Sequence, residues 1–367
     1  MVYGSFMASI EHHLANPGIS IEEHIGQCCA ELAQSLEGRT AIYLDFRFWV
    51  MAREVRAGIR TEQSERELAD LLANLTSTAR IFCPISDTTF TELMKVGDDA
   101  RRHATVAVIK ELSAGVALLP EPDRVADELE RIISHTFRPG AMVLPRVWTR
   151  LAYVMGHAYP SETAFPPETE RAIQKAFFDH LWDHPFSNLA ARAERADFDV
   201  LTEMNALAER LNKSNRDHRS TMKSFESVLS AEMRGVAAIA QPMLNQLIAE
   251  LGNFKADAQP SAEASLMCAN LLHAILLGEH RGRLPSLQVH ASLHALFRWE
   301  YRDKQIVGND LFDLGHTAAA LGYCDAFFTE AGITRSVTHQ RIKLDELYGC
   351  FVTNDVDAAL SYLRSLS

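Results

Sequence analysis

What the sequence is short of narrows its class first. Of 367 residues only 6 are cysteine. They are Cys28, Cys29, Cys83, Cys268, Cys324 and Cys350, and none forms a C-x-x-C pair. So few cysteines exclude a disulfide scaffold, and their pattern reads as buried thiols in a reducing compartment rather than as a zinc framework. With Gly at 18 and Pro at 13, a collagen-like or low-complexity chain is excluded as well. No run approaches the ~18 uninterrupted apolar residues of a membrane span. Residues 1–16 carry no basic start followed by a long apolar segment, so the expected location is cytoplasmic, with no membrane partner. Positive charge is scarce too: 36 Lys plus Arg against 48 Asp plus Glu leave −12. A net field of that sign repels phosphate and argues against a globally basic nucleic-acid binder. It leaves room for an enzyme that receives phosphate at a cation held among acids.

What is present is mainly helix. Ser20 with Glu23 three residues on predicts a capping box and a helix over residues 21–37, with Gly38 as its C-cap. The next segment, Thr40-Ala41-Ile42-Tyr43-Leu44-Asp45, is short, apolar and β-branched or aromatic, and reads as a buried strand ending in an acid. Residues 64–80 are helical, with Leu68, Leu71, Leu72 and Leu75 on one face. Ile81-Phe82-Cys83-Pro84-Ile85 is a second strand, after which Ser86 or Asp87 caps a short helix carrying Phe90, Glu92, Leu93 and Met94. Two further strands, Ala326-Phe327-Phe328-Thr329 and Cys350-Phe351-Val352-Thr353, precede a closing helix over 356–366. Strands alternating with helices predict an α/β class with a parallel sheet.

Residues 96–303 read as almost wholly helical, notably 201–211, 224–251 and 262–277, with breaks at Pro139-Gly140, Pro166-Pro167 and Gln259-Pro260. No internal repeat is visible. The expected organisation is one α/β domain built from residues 1–115 and 305–367, interrupted by an all-helical inserted domain over 116–304.

Acids cluster where predicted strands end and helices begin. Asp45 closes the first strand, Glu92 lies on the helix after the second, and Asp310 and Asp313 open the helix before the third. Glu330 ends that third strand, whereas Asp325 stands at its beginning. Ligands of open α/β sheets bind outside the carboxyl ends of the strands. Carboxylates gathered there repel one another without a cation, and hard oxygen donors suit Mg²⁺ or Mn²⁺.

Ile42-Tyr43-Leu44-Asp45, Pro84-Ile85-Ser86 leading to Glu92-Leu93, and Asn309-Asp310 to His316 followed by Phe327-Phe328-Thr329-Glu330 together resemble the PIN domain, a family of metal-dependent nucleases, mostly ribonucleases. The resemblance covers residues 40–115 and 305–366 and leaves the middle unmatched. It implies a PIN-like parallel sheet flanked by helices and a quartet of acids at its carboxyl edge. Asp45 and Glu92 match the first two acids, and Asp310 the third, with Asp313 one turn later able to replace or assist it. The fourth is Glu330 or Asp325. The family chemistry implied is hydrolysis of RNA phosphodiesters, in the manner of an endoribonuclease, by cation-activated water, with the acids as ligands. The alternatives are an inactive PIN-like interaction scaffold and a metal-dependent phosphohydrolase acting on a small phosphoester.

Other residues have plainer readings. His316 on an Ala-rich helix is either a phosphate donor or, more commonly, a packed histidine. His290 with His294, and His180 with His184, have the spacing of a zinc pair but no obvious third ligand. Phe48 and Trp49 either stack on a base or pack in the core. Arg210, Lys213, Arg216, Arg219 and Lys223 form a basic stripe that either tracks a phosphate backbone or is a solvated face paired with Glu209 and Asp217. The helical insertion is a candidate surface for a homo-oligomer or a protein partner.

Overall fold

Hydrophobic residues on both sides of one strand decide the architecture. Ile42 and Leu44 of β1 (Thr40–Leu44) pack into one core with Phe328, Leu72 and Leu360, while Ala41 and Tyr43 pack into another with Phe327, Leu293, Leu314 and Ala318. A strand buried on both faces reads as a continuous apolar run instead of an alternating one, and it belongs in the middle of a helix-covered parallel sheet. The computed structural model describes residues 2–137, 146–184, 186, 200–251, 262–276, 278, 281–300 and 305–366. Among these, β1 pairs in parallel with β2 (Ile81–Phe82) on one side and β5 (Ala326–Phe328) on the other. β6 (Phe351–Thr353) continues beyond β5, also parallel, giving the order β2-β1-β5-β6. The class is therefore mixed α/β, mostly helical, with a small parallel sheet whose strands come from both ends of the chain.

The second strand is shorter than the sequence predicts. Pro84 has no N–H to contribute to a ladder, and β2 stops at Phe82. The extended path nevertheless continues: Cys83 donates its N–H to the carbonyl of Leu112, and Ile85 makes a parallel bridge to Ala117. Ala117 lies in β3 (Val116–Leu118), which pairs antiparallel with β4 (Trp148–Arg150). These two strands correct the expectation that 96–303 is almost wholly helical. Each is three residues long, too short to set up a period of two. β3 therefore runs beside the end of the β2 segment, although it begins just past the expected domain boundary at 115.

Helices account for most of the rest. Ser20 does accept the Glu23 N–H as N-cap of helix Ile21–Ser35, but the C-cap is Leu36, and Gly38 follows with φ of 78°. Helices Gln63–Ser77, Phe225–Leu251 and Ala262–Leu276 match the periodic segments within three residues, whereas Val200–Asp217 runs six residues past the expected end at 211. Pro166 and Pro167 stand at the start of helix Pro167–Trp182, where a missing N–H costs nothing. Pro139-Gly140, Gln259-Pro260 and Leu277 lie outside the described residues. Helix Pro285–Glu300 buries ten residues, and its Val289, Leu293 and Leu296 share the core that holds Tyr43 and Phe327. No helix among the described residues is long and apolar enough to cross a membrane.

Candidate metal centre at the carboxyl edge of the sheet

Strand order reverses at β1: the chain leaves toward β2 on one side and returns as β5 on the other. Such a switch point opens a crevice outside the carboxyl ends of the two central strands. Alternation along β1 carries the face of Tyr43 on to Asp45. Leu44 is in register with Phe328, so Thr329 arrives beside Asp45. The Thr329 hydroxyl donates to Asp45 Oδ2 at 2.8 Å, and the Arg47 N–H reaches Oδ1 at 3.3 Å, because Asp45 is also the N-cap of helix Phe46–Arg56. Asp45 is 7% exposed. Its orientation is thus fixed by one side-chain and one backbone donor.

Glu92 comes from the other side of the crevice, on helix Asp87–Met94. Ser86 caps that helix reciprocally with Thr89, and the same two hydroxyls hold the Tyr43 hydroxyl at 2.6 and 3.0 Å. His316, on helix Gly308–Leu321, joins the two sides. Its Nδ1 lies 2.8 Å from the Tyr43 oxygen and its Nε2 lies 2.8 Å from Glu92 Oε2. Burial opposes a charge on this ring, but Tyr43, Glu92 and Asp45 outweigh it and raise its pKa well above the ordinary value. As imidazolium, both nitrogens donate. Burial likewise opposes ionisation of Glu92, and the His316 bond with Lys95 nearby overcomes it, so the carboxyl is held below the usual range.

This geometry depends on a missing side chain. A Cβ at Gly315 would lie 2.6 Å from Thr88 Oγ1, inside any real contact. Glycine there lets helix Gly308–Leu321 approach helix Asp87–Met94 closely enough for His316 to meet Glu92.

One donor atom from each of Asp45, Glu92 and His316 lies within 4.8 Å of the other two. Asp313 stands one turn before His316, and its carboxyl is pushed up to about 7, first by burial and then by the charges of Glu330 and Asp45. Glu330 is exposed at the end of β5, as N-cap of helix Ala331–Val337. The structure thus brings Asp45 and Glu92 together, with Asp313 and Glu330 close enough for their fields to act. Asp310 is used differently: its Oδ2 accepts the Val307 N–H at the start of its own helix, and it is not in the ligand group.

Asp325 corrects the expectation that it joins the site. It precedes β5 at the amino edge, where its Oδ2 accepts the Ala41 N–H at 2.8 Å and its own N–H donates to the Ala41 carbonyl. The length of the central strands separates it from Asp45.

No family model, curated protein or solved structure matches the chain. The site must therefore be read from its own chemistry. Asp45 and Glu92 offer carboxylate oxygens to one crevice, the donor type that hard divalent cations take, and Asp313 lies near enough to feel the charge of Asp45. His316 bonds Tyr43 through Nδ1 and Glu92 through Nε2, so it orients Glu92 and is also the third member of the group that could hold a cation. Sequence reasoning weighed His316 but not Tyr43. The usable signal was Tyr43 two residues before Asp45 on one strand face, with His316 three after Asp313 on one helix face.

The remaining candidates fall elsewhere. Phe48 and Trp49 are buried, and the Trp49 indole donates to the Leu44 carbonyl, so both belong to the core. His290 Nε2 meets Glu121 Oε1 at 2.9 Å. A cavity of about 530 Å³, lined in part by Glu128, Arg131, His135, Arg283 and Tyr323, shares no residue with the acid cluster.

Proposed function

We propose that this chain is a PIN-like, Mg²⁺- or Mn²⁺-dependent nuclease that hydrolyses RNA phosphodiesters within the strand. The observation that carries the reading is the convergence of Asp45 and Glu92, from different elements, at the carboxyl edge beside the switch point. The donor set fits such a cation, because ligand atoms of Asp45, Glu92 and His316 converge, and the Asp313 carboxyl beside them is pushed up first by burial and then by the charges of Glu330 and Asp45. When bound, the cation would supply charge for the phosphate and acidify a water.

The chain's own residues have distinct tasks. Asp45, Glu92 and Asp313 would hold the cation, with Glu330 at the rim. Thr329 fixes the Asp45 carboxylate, and the Tyr43–His316 pair fixes Glu92. Lys95 is exposed at the mouth, with Nζ 3.5 Å from Glu92 Oε1 and 3.3 Å from Asn309 Oδ1, where an incoming phosphate would meet it.

The basic stripe supports RNA as the substrate class. Arg210, Lys213 and Arg216 are exposed on helix Val200–Asp217. That helix is docked against the start of the site helix by Asn205 Oδ1, which accepts the Gly308 N–H, and by Asn212, which bonds both the N–H and carbonyl of Ile306. A backbone following this helix would be led toward the acids. The test is incubation of the purified protein with single-stranded RNA and Mn²⁺, beside Asp45→Asn and Glu92→Gln. Cleavage by wild type alone supports the reading. Equal cleavage by all three, or by none, overturns it; a metal-dependent release of phosphate from a small ester, with RNA left intact, would favour a phosphohydrolase.

A further inference from the structure

A second convergence shares no residue with the sheet-edge group and uses different donors. Helix Val2–Ala15 supplies His13, helix Ile21–Ser35 supplies His24, and helix Pro167–Trp182 supplies Asp179. His13 Nε2 lies 2.7 Å from Asp179 Oδ2, and His24 Nε2 lies 2.7 Å from Asp179 Oδ1. One donor atom from each lies within 4.8 Å of the others, and the two imidazole centroids are 4.8 Å apart at a steep angle. The Ser9 hydroxyl donates to Asp179 Oδ2 at 2.7 Å, as hydrogen-bonded groups do behind a ligating carboxylate.

We propose that His13, His24 and Asp179 form a second divalent-metal site, one that takes a zinc-class cation and clamps helix Val2–Ala15 to the body. Two imidazoles with one carboxylate are the donor set of borderline cations such as Zn²⁺, whereas the sheet-edge group, with two carboxylates to one imidazole, suits harder ones. Three segments separated by up to 166 residues deliver their donors to one point. Both histidines present Nε2 to it. The Asp179 side chain remains 35% exposed, which leaves an entry path and room for a water as fourth ligand.

The zinc-like spacing of His180 and His184 marks the same region: these rings are 5.7 Å apart, immediately after Asp179.

The test uses the full chain, stripped with a chelator and titrated with Zn²⁺ against a chromogenic competitor. Wild type should take up one Zn²⁺ equivalent that survives in the Asp45→Asn, Glu92→Gln double variant. His24→Ala and Asp179→Asn should bind it ~10²-fold more weakly or worse, beyond what loss of an outer-shell partner brings. Retention of one equivalent in the double variant, with an absorption spectrum of the Co²⁺ form showing nitrogen and oxygen ligation, upholds the proposal even if the His24 variant does not fold. Absence of zinc from the double variant, or unchanged affinity in folded His24→Ala, overturns it.

Discussion

Asp45 and Asp325 border neighbouring parallel strands, one just after β1 and the other just before β5. At the carboxyl edge, Asp45 meets a hydroxyl, a helix N–H and, across the crevice, Glu92 and His316. At the amino edge, Asp325 meets the backbone of Ala41 and completes the ladder. The same side chain is thus a candidate ligand at one end and a sheet-edge brace at the other. In a parallel sheet, carboxyl ends converge on helix N-termini, which favour negative charge, and a switch point opens a crevice among them. Position on the sheet, more than residue type, separates the two roles.

The sharpest way to break this contrast is to neutralise the carboxyl edge. Asp45→Asn keeps the size and one acceptor but removes the charge, and should lower kcat/KM for RNA cleavage with Mn²⁺ by at least ~10²-fold. Measured on the same RNA, His316→Gln should lose ~10-fold or more, because Glu92 loses the partner that aims it. Full activity in both variants would leave the two edges equivalent.

The basic stripe sharpens the comparison, since its helix docks at the start of the helix that carries Asp313 and His316. Neutralising Arg210, Lys213 and Arg216 together to Gln should reduce the slope of log affinity against log salt by about 2, at ~0.7 per phosphate contact on a single strand. Fluorescence anisotropy with labelled RNA at several salt concentrations reads this directly. An unchanged slope assigns the stripe to solvent.

How much of this was legible beforehand differs between the two edges. β1, β5 and β6 were visible as apolar runs because both sheet faces are covered. Asp45 was visible because it closes a strand, and Glu92 because it lies on the short helix after the next one. β3 and β4 were not: Trp148-Thr149-Arg150 is no apolar run, and Val116–Leu118 finds its partners, β4 and Ile85, only in the fold. His316 looked like packing, and it is buried. Its bonds to Tyr43 and Glu92 arise only when three elements meet, which no local pattern encodes. Asp313 is similar: its spacing was visible, whereas the fields of Glu330 and Asp45 belong to the fold.

Packing offers a test at intermediate scale. Gly315→Ala places a Cβ against Thr88 and should cost about 1–3 kcal/mol as overpacking. Thr88→Ala in the same chain should recover part of the loss, as urea unfolding would register. Failure of the second change to help would mean that the close approach of these helices does not limit stability.

Asp313 sets a pH-dependent contrast in the metal-free protein. Its native pKa of about 7 lies above its unfolded value, so the native state binds the proton more tightly. The associated stability is fully present below the unfolded pKa and is lost as pH rises through 7. Asp313→Asn should therefore raise Tm at pH 8, with a gain that shrinks steadily toward pH 4. Added Mn²⁺ should reverse the order at pH 8. A gain independent of pH would tie the effect to packing.

The smallest effect, at the amino edge, decides whether the contrast holds. Asp325→Ala deletes the acceptor of the buried Ala41 N–H and should cost about 1 kcal/mol. Asn can still accept that bond, so Asp325→Asn should restore most of the stability. Both variants, assayed well below their Tm, should cleave RNA within about twofold of wild type, as expected for a change remote from the chemistry. Neutral Asn at 325 and neutral Asn at 45 then differ in activity while sharing the same chemical change. If Asp325→Asn instead fell as far as Asp45→Asn with stability intact, charge at the amino edge would be acting on the reaction, and edge position would no longer explain the two roles.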